Sequence, residues 1–228
     1  MSRDPYEDLR VGFTAAVSHE LRTPLARLLA LIEGATLPGA DAHDALEKAR
    51  VEVERMDELI DDVLFLSELE TGREVVSLGT TEAAPVVRQV LGGLAESAER
   101  AGVTFRVEAE DDRLELPLRA RMLRIVVENL AENALRHAGD GATCIFVLGY
   151  DGGRRLLAAR DDGAGVGADD LPRLFERFYR ADRARATRGS GLGLAIVKHV
   201  VEAAGGAVEA AAEPAGGLVI RCLFPASL

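Results

Sequence analysis

Two amides, a guanidinium and an imidazole fall on one side of a single helical run. In RIVVENLAENALRHA, residues 124–138, Asn129, Asn133, Arg136 and His137 are spaced four, three and one apart. That places them near one helix face and leaves Ile125, Val126, Leu130 and Leu135 for a core. Such groups are costly to bury without partners, so the stripe is either an ordinary solvated face or one wall of a polar-ligand site. Two glycine runs follow it. DDGAGVG at 161–167 holds Gly163, Gly165 and Gly167 within five positions, and GSGLGLAIV at 189–197 leads through Gly189, Gly191 and Gly193 straight into an apolar helix. Glycine permits positive φ and close backbone approach. The N–H groups at a helix start bind phosphate without positive side chains. The chemistry these residues suit is the local holding of a nucleotide. A Rossmann site is disfavoured because the charged, strand-poor ADRARATR precedes Gly189. A Walker loop is excluded because no Gly-Lys-Ser/Thr follows.

A third constellation lies near the start of the chain. In FTAAVSHELRTPLARL, residues 13–28, Glu20 stands beside His19 and Thr23 follows one turn on. On a helical wheel His19 lies nearly opposite Phe13, Val17, Leu21 and Leu28, so its imidazole faces solvent and not a core.

The elements that must carry these residues divide into two kinds. From Tyr6 to about Ile32, apolar residues recur every three or four positions and predict one long amphipathic helix. GATLPGAD at 34–41 supplies a chain reversal. A second helix starts near Asp41, and its Leu46, Ala49, Val53, Met56, Ile60 and Val63 form a heptad seam. A hairpin of this kind leaves apolar surface uncovered, which a second copy would cover as a four-helix bundle. Thr71, Gly72 and Arg73 end the helix. Beyond them, strand-like runs at 103–109, 143–149, 155–160, 206–212 and 218–224 alternate with helical runs at 82–100, 119–137 and 192–204, the plan of an α/β sandwich. The expected domains are 1–72 and 73–228.

The bulk numbers bound the function. An apolar fraction of 48% in 228 residues fills a real core, and 4% aromatics with no tryptophan means that Ala, Val and Leu must build it. A formal charge of −11 argues against binding nucleic acid or anionic lipid. No apolar run is long enough for a membrane span and MSRDPYEDLR lacks a signal-peptide core, so the expectation is a soluble, cytoplasmic chain. Cys144 and Cys222 lie far apart in short apolar runs, as reduced core cysteines do.

Asn129 to Ala138, Asp161 to Gly165, Leu174 to Arg180 and Gly189 to Ile196 resemble, in order, the N, G1, F and G2 boxes of the histidine kinase ATP-binding domain. The same fold serves gyrase-like, Hsp90-like and MutL-like ATPases. FTAAVSHELRTPLARL resembles the H box of histidine kinases with a phosphorylatable dimerisation domain, which separates this chain from those ATPases.

The resemblance implies a sensor histidine kinase core. Such a core uses ATP and Mg2+ to phosphorylate His19 and passes the phosphoryl group to an aspartate of a response-regulator receiver domain. It is a homodimer, and any membrane contact comes through an upstream segment. An ordinary imidazole, with a pKa near about 6.5, is mostly neutral at cytosolic pH and can attack phosphorus. The resemblance gives Glu20 the other ring nitrogen's N–H to accept, Asn133 the Mg2+, and Asp161 the adenine amino group. It gives Arg136 and Arg180 the phosphate tail, and His137 the purine face. Asn129, Gly163, Gly165, Gly189, Gly191, Leu192 and Gly193 complete the nucleotide site, with residues 166–188 as a lid. Phe175 and Phe178 are hinge-side anchors or plain core residues. Thr23 either packs ahead of Pro24 or holds a water for dephosphorylating the regulator. Pro24 leaves the Glu20 carbonyl without its helical partner and predicts a bend. Asp162 and Gly167 depart from the family's commoner asparagine and proline. Two other readings remain: a nucleotide-binding pseudokinase scaffold, against which the intact boxes speak, and a stand-alone ATPase in which Glu132 would activate water.

Overall fold

The computed structural model describes residues 5–38, 40–71, 79–181, 189–213 and 216–226, with side chains from residue 14 onward except at 15 and 70. The chain folds as two compact units, residues 1–67 and 68–228. The expected break at 72/73 lies outside the described residues. Among those described, no helix is long and apolar enough to cross a membrane.

The first unit is a helical hairpin, α1 (Pro5–Ala35) and α2 (Ala42–Glu70). Asp41 starts α2 by accepting the His43 and Asp44 N–H groups at 3.0 and 3.1 Å, satisfying donors that a helix start leaves unpaired. Arg27 of α1 pairs with Glu52 of α2 at 3.8 Å, two positions nearly equidistant from the turn, as an antiparallel hairpin requires. α1 continues unbroken through Pro24, which is buried. The expected seam divides in two. Ala49 is buried and Met56 and Val63 are half-buried, whereas Leu46, Val53 and Ile60, seven apart, are exposed. Leu25, Leu29 and Ile32 of α1 are exposed as well. The Phe13 side chain lies outside the described residues.

The second unit is a two-layer α/β sandwich. Its sheet has the order β2-β4-β5-β7-β6, formed by β2 (Thr104–Ala109), β4 (Thr143–Asp151), β5 (Arg154–Asp161), β6 (Ala207–Ala212) and β7 (Leu218–Phe224). β2 and β4 are parallel because α5 (Ala120–His137) crosses between them, while the other neighbours are antiparallel. Strand alternation sends Cys144, Phe146 and Leu148 of β4 inward. Register sets Phe146 beside Ala159 and Ala159 beside Ile220, which makes a continuous apolar row. Over that face lie α3 (Ala83–Gly93), α5 and α6 (Gly193–Ala203), contributing Val87, Val90, Met122, Val126, Ile196 and Val200 among others. Leu, Val and Ala dominate this core, as the shortage of aromatics requires.

The strands and α5, α6 match their expected spans to within two residues. The run expected at 82–100 is instead two helices, α3 and α4 (Ala95–Ala101), parted at Leu94. Gly92 and Gly93 lower helix propensity at that point, and the Leu94 N–H is shared between the Val90 and Leu91 carbonyls. A small ribbon of β1 (Thr81–Glu82) and β3 (Glu115–Leu116), too short to leave a periodic signal, leads into α3. The β4–β5 turn is closed by Gly152 and Gly153 at φ +55 and +79, the two positive values a two-residue hairpin demands. Cys144 and Cys222 are free and buried, and burial pushes both thiols up to about 12.

Candidate functional site

Most of the nucleotide-type residues converge at one end of the sheet. α5 buries Met122, Val126, Val127, Leu130 and Ala134 against the core, which leaves Asn129 and Asn133 half-exposed and Arg136 and His137 exposed on one stripe. Asn129 is a strut as much as a surface group. Its amide donates to the Ile125 carbonyl at 2.8 Å, and its Oδ1 would meet a Cβ on Gly193 at 2.5 Å. A side chain at residue 193 would therefore have to push the Asn129 amide away from the start of α6. The Arg136 guanidinium pairs with Glu132 at 2.8 Å and lies next to Gly189. Although His137 as a whole residue is exposed, desolvation of its ring where it lies against the protein, followed by the charges of Arg136 and Arg180, holds the imidazole below its ordinary value. Arg180 is thus brought to the same end.

Asp161 ends β5 and is the one buried charged side chain among the described residues, 8% exposed. Its carboxylate accepts the Gly163 N–H at 3.0 Å. Burial pushes this carboxyl above the usual range, opposed by the Gly163 and Leu218 amides. The glycines around it are fixed by the protein's own packing. A Cβ on Gly163 would lie 2.2 Å from the Ala138 carbonyl oxygen, and Gly165, at φ +64, crowds Gly217. Gly217, at φ +102, would place a Cβ 2.0 Å from the Asp161 carbonyl oxygen. Gly191, at φ +72, presses on the backbone of Phe178, whose N–H donates to the Gly191 carbonyl at 2.9 Å. Leu192 is fully buried as the N-cap of α6 and anchors the glycine run.

The Asp162 carboxylate accepts the Thr143 N–H at 2.6 Å and ties the loop to β4, a bond an asparagine oxygen would also accept, so it does not account for the departure from asparagine. Gly167 accepts the Asp170 and Leu171 N–H groups at 3.0 and 3.2 Å through its carbonyl, starting the 3-10 turn Leu171–Arg173. Residues 182–188 of the expected lid lie outside the described residues. Sequence reasoning does not pick out Gly217 and takes in Ala138 only as the last residue of the N-box resemblance, although both pack against the Asp161 loop. The Gly216–Gly217 pair before an apolar strand was the available signal; Ala138 offers none.

His19 stands on α1 with 76% of its side chain exposed. Glu20 Oε1 is 3.7 Å from its Nδ1, close enough for electrostatic support but outside hydrogen-bond distance. Thr23 is exposed on the same face, and His19, Arg22, Thr23, Ala26, Arg27 and Ala30 line a shallow groove along the helix.

The chain matches two protein families. Residues 119–228 match the histidine kinase-, DNA gyrase B- and HSP90-like ATPase family, which on its own fits several ATPases. Residues 9–72 match the His Kinase A (phospho-acceptor) domain, and only one of those classes joins the two. The chain belongs to the sensor histidine kinases. It is 31% identical over 226 residues to the sensor-like histidine kinase SenX3 of Mycobacterium tuberculosis, covering 96% of this chain and 55% of that protein. It resembles full-length histidine kinase ShkA in complex with AMPPNP, with a TM-score of 0.67 and 26% identity over 92% of this chain and 45% of that one. It also shares the fold of histidine kinase ThkA, solved with response regulator TrrA, at a TM-score of 0.77 and 19% identity over 99% and 65% of the two chains. This histidine kinase chain spans about half the length of the curated relatives it matches.

A buried carboxyl held above its ordinary value binds more protons folded than unfolded, so its charged form costs stability above its usual pKa of 3.8. Asp161→Asn in this kinase chain removes that cost. The variant should melt at or above the wild-type temperature at neutral pH, with the difference shrinking as pH falls from the raised folded-state value towards the ordinary one and vanishing below it. On the adenine role that the family resemblance implies for Asp161, it should also lose roughly tenfold or more in ATP affinity, because the new amide group sets a donor against the adenine amino group. Calorimetry of melting and of ATP binding reads both, and a variant that binds ATP normally would remove Asp161 from the site.

Proposed function

We propose that this chain transfers the γ-phosphoryl group of Mg-ATP to His19 and then donates it to an aspartate of a receiver domain. The observation that carries the reading is an exposed, carboxylate-flanked imidazole in the phospho-acceptor segment of a chain whose second unit has ATPase architecture. With Nδ1 turned towards Glu20, Nε2 is the nitrogen open for attack. An N–P bond forms, the bond from the γ-phosphorus to the bridging oxygen breaks, and ADP leaves. Glu20 offsets the cation that develops on the ring. In the second step the N–P bond breaks as a carboxylate oxygen of the regulator takes the phosphoryl group.

Loose phosphoryl-transfer transition states need positioning and charge neutralisation more than covalent help. Asp161 accepts the adenine amino group, His137 packs on the purine, and Arg136 and Arg180 steady the phosphates beside the Gly189–Gly193 backbone. Among the described residues no cluster of three or more His, Cys, Asp or Glu is placed to hold a metal. The donor offered is the half-exposed Asn133 amide oxygen, which suits a Mg2+ that keeps waters and phosphate oxygens as its other ligands. When bound, Mg2+ neutralises phosphate charge. Glu132 is engaged with Arg136, which weakens the case for it as a water-activating base.

The exposed rows Leu46, Val53, Ile60 and Leu25, Leu29, Ile32 favour pairing with a second copy as a four-helix bundle. Thr23 holds a water in line with a regulator's phosphoaspartate, a role that its exposed position one turn from His19 supports.

Incubation with γ-labelled ATP and Mg2+ should label the wild-type chain with an acid-labile, base-stable phosphoramidate. His19→Ala should abolish the label with ATP affinity nearly unchanged, and Asn133→Ala should lose both Mg2+-dependent affinity and label; label retained by His19→Ala would exclude that residue as acceptor. Sedimentation should find a dimer in the wild type and a monomer for Val53→Lys, since an unpaired charge buried in the seam costs several kcal/mol. A wild type monomeric at micromolar concentration would sink the bundle. Thr23→Ala should keep autophosphorylation and slow, by roughly tenfold, ADP-stimulated loss of phosphate from the cognate phosphorylated regulator; equal decay would leave the chain a phosphate donor only.

A further inference from the structure

The segment before Arg180 is held more firmly than a solvent-exposed loop needs. The Tyr179 hydroxyl donates to the Asp170 carboxylate, closing the nine-residue span between them with a charge-assisted bond. The Arg173 guanidinium lies 4.1 Å from the centroid of the Tyr179 ring and is itself held by Glu176 at 3.3 Å. The Tyr179 N–H donates to the Glu176 carbonyl at 3.3 Å. One residue earlier, Phe178 is the one non-glycine residue at positive φ among those described, at +60, a strained conformation for a bulky side chain. It is kept there by its N–H donating to Gly191 and by the close fit of Gly191 against its backbone. Asp170 precedes the 3-10 turn Leu171–Arg173, which packs on the edge strand β6, so the anchor is tied to the sheet. A tyrosine that only packed would not need its hydroxyl, and this hydroxyl points at Asp170 and is committed there.

We propose that Tyr179 and Asp170 form a latch that positions the next residue, Arg180, for the terminal phosphate of the nucleotide. The inference rests on the nucleotide reading above and adds two positioning residues to it. The latch acts by fixing the backbone of residues 178 and 179. That fixes the direction in which the Arg180 side chain leaves and lowers the entropy lost when its guanidinium meets phosphate. On this proposal Tyr179 and Asp170 are spent on each other and make no contact with the nucleotide themselves. Their effect should therefore appear only for ligands that carry the phosphate Arg180 reaches.

The test is calorimetric binding of AMPPNP and of ADP, each with Mg2+, to the whole chain. Tyr179→Phe keeps the ring under Arg173 and removes only the hydroxyl. It should weaken AMPPNP about five- to tenfold and ADP under twofold, a loss on the scale of one ordinary net hydrogen bond. Asp170→Asn, which retains an acceptor oxygen, should show a smaller loss with the same selectivity. Arg180→Ala should lose the same preference for AMPPNP, and adding Tyr179→Phe to it should cost nothing more, because the latch then has nothing to aim. Melting temperatures guard against misfolding. Unchanged AMPPNP affinity, equal loss of both nucleotides, or a full further loss in the Arg180→Ala background would each overturn the latch while leaving the site intact. A wild-type chain that binds neither nucleotide removes the site and the latch together.

Discussion

A side chain at residue 163 would have to occupy the space of the Ala138 carbonyl group. That contact between the end of α5 and the loop after β5 is the constraint on which the rest of the second unit's functional end depends. It brings the polar stripe of α5 up to Asp161, and the Ala164 N–H closes it by donating to the Ala138 carbonyl at 3.1 Å. The same economy recurs where Gly193 meets Asn129, Gly217 meets Asp161 and Gly191 meets Phe178. The glycines are therefore required first by packing between protein segments. The ligand-facing surface is what remains once those segments have closed on one another.

The legibility of the sequence follows from the range of each interaction. Alternation in β4 and β7 and the apolar period of α5 and α6 are local patterns that many residues repeat, so their spans could be read directly. The stripe Asn129, Asn133, Arg136 and His137 was readable for the same reason. Pairing order was not: nothing in Arg154–Asp161 alone says that β7 and not β6 lies beside it. The break at Leu94 turns on two adjacent glycines, whose helix penalty is small enough for context to decide. Tyr179 and Asp170 meet across a segment with no periodicity, and Asp162 finds Thr143 across a strand pair, so neither contact has a sequence signature.

The seam of the hairpin shows how one pattern can serve two surfaces. Leu46, Ala49, Val53, Met56, Ile60 and Val63 read as a single heptad stripe, yet exposure alternates along it. Ala49 and, in part, Met56 and Val63 face inward, while Leu46, Val53 and Ile60 remain open. A helix of a four-helix bundle touches two neighbours, so its apolar arc must be wider than a two-stranded seam needs.

The Gly152–Gly153 turn closes the end of the β4–β5 hairpin remote from Asp161. Residues 144–151 of β4 separate the two ends, about 23 Å of extended chain. The register pair Asp151 with Arg154 aligns the strands right up to the turn. In an engineer's terms this is a port: chain could be cut, rejoined in a new order or interrupted by a reporter there, with the strands still aligned and the catalytic face undisturbed.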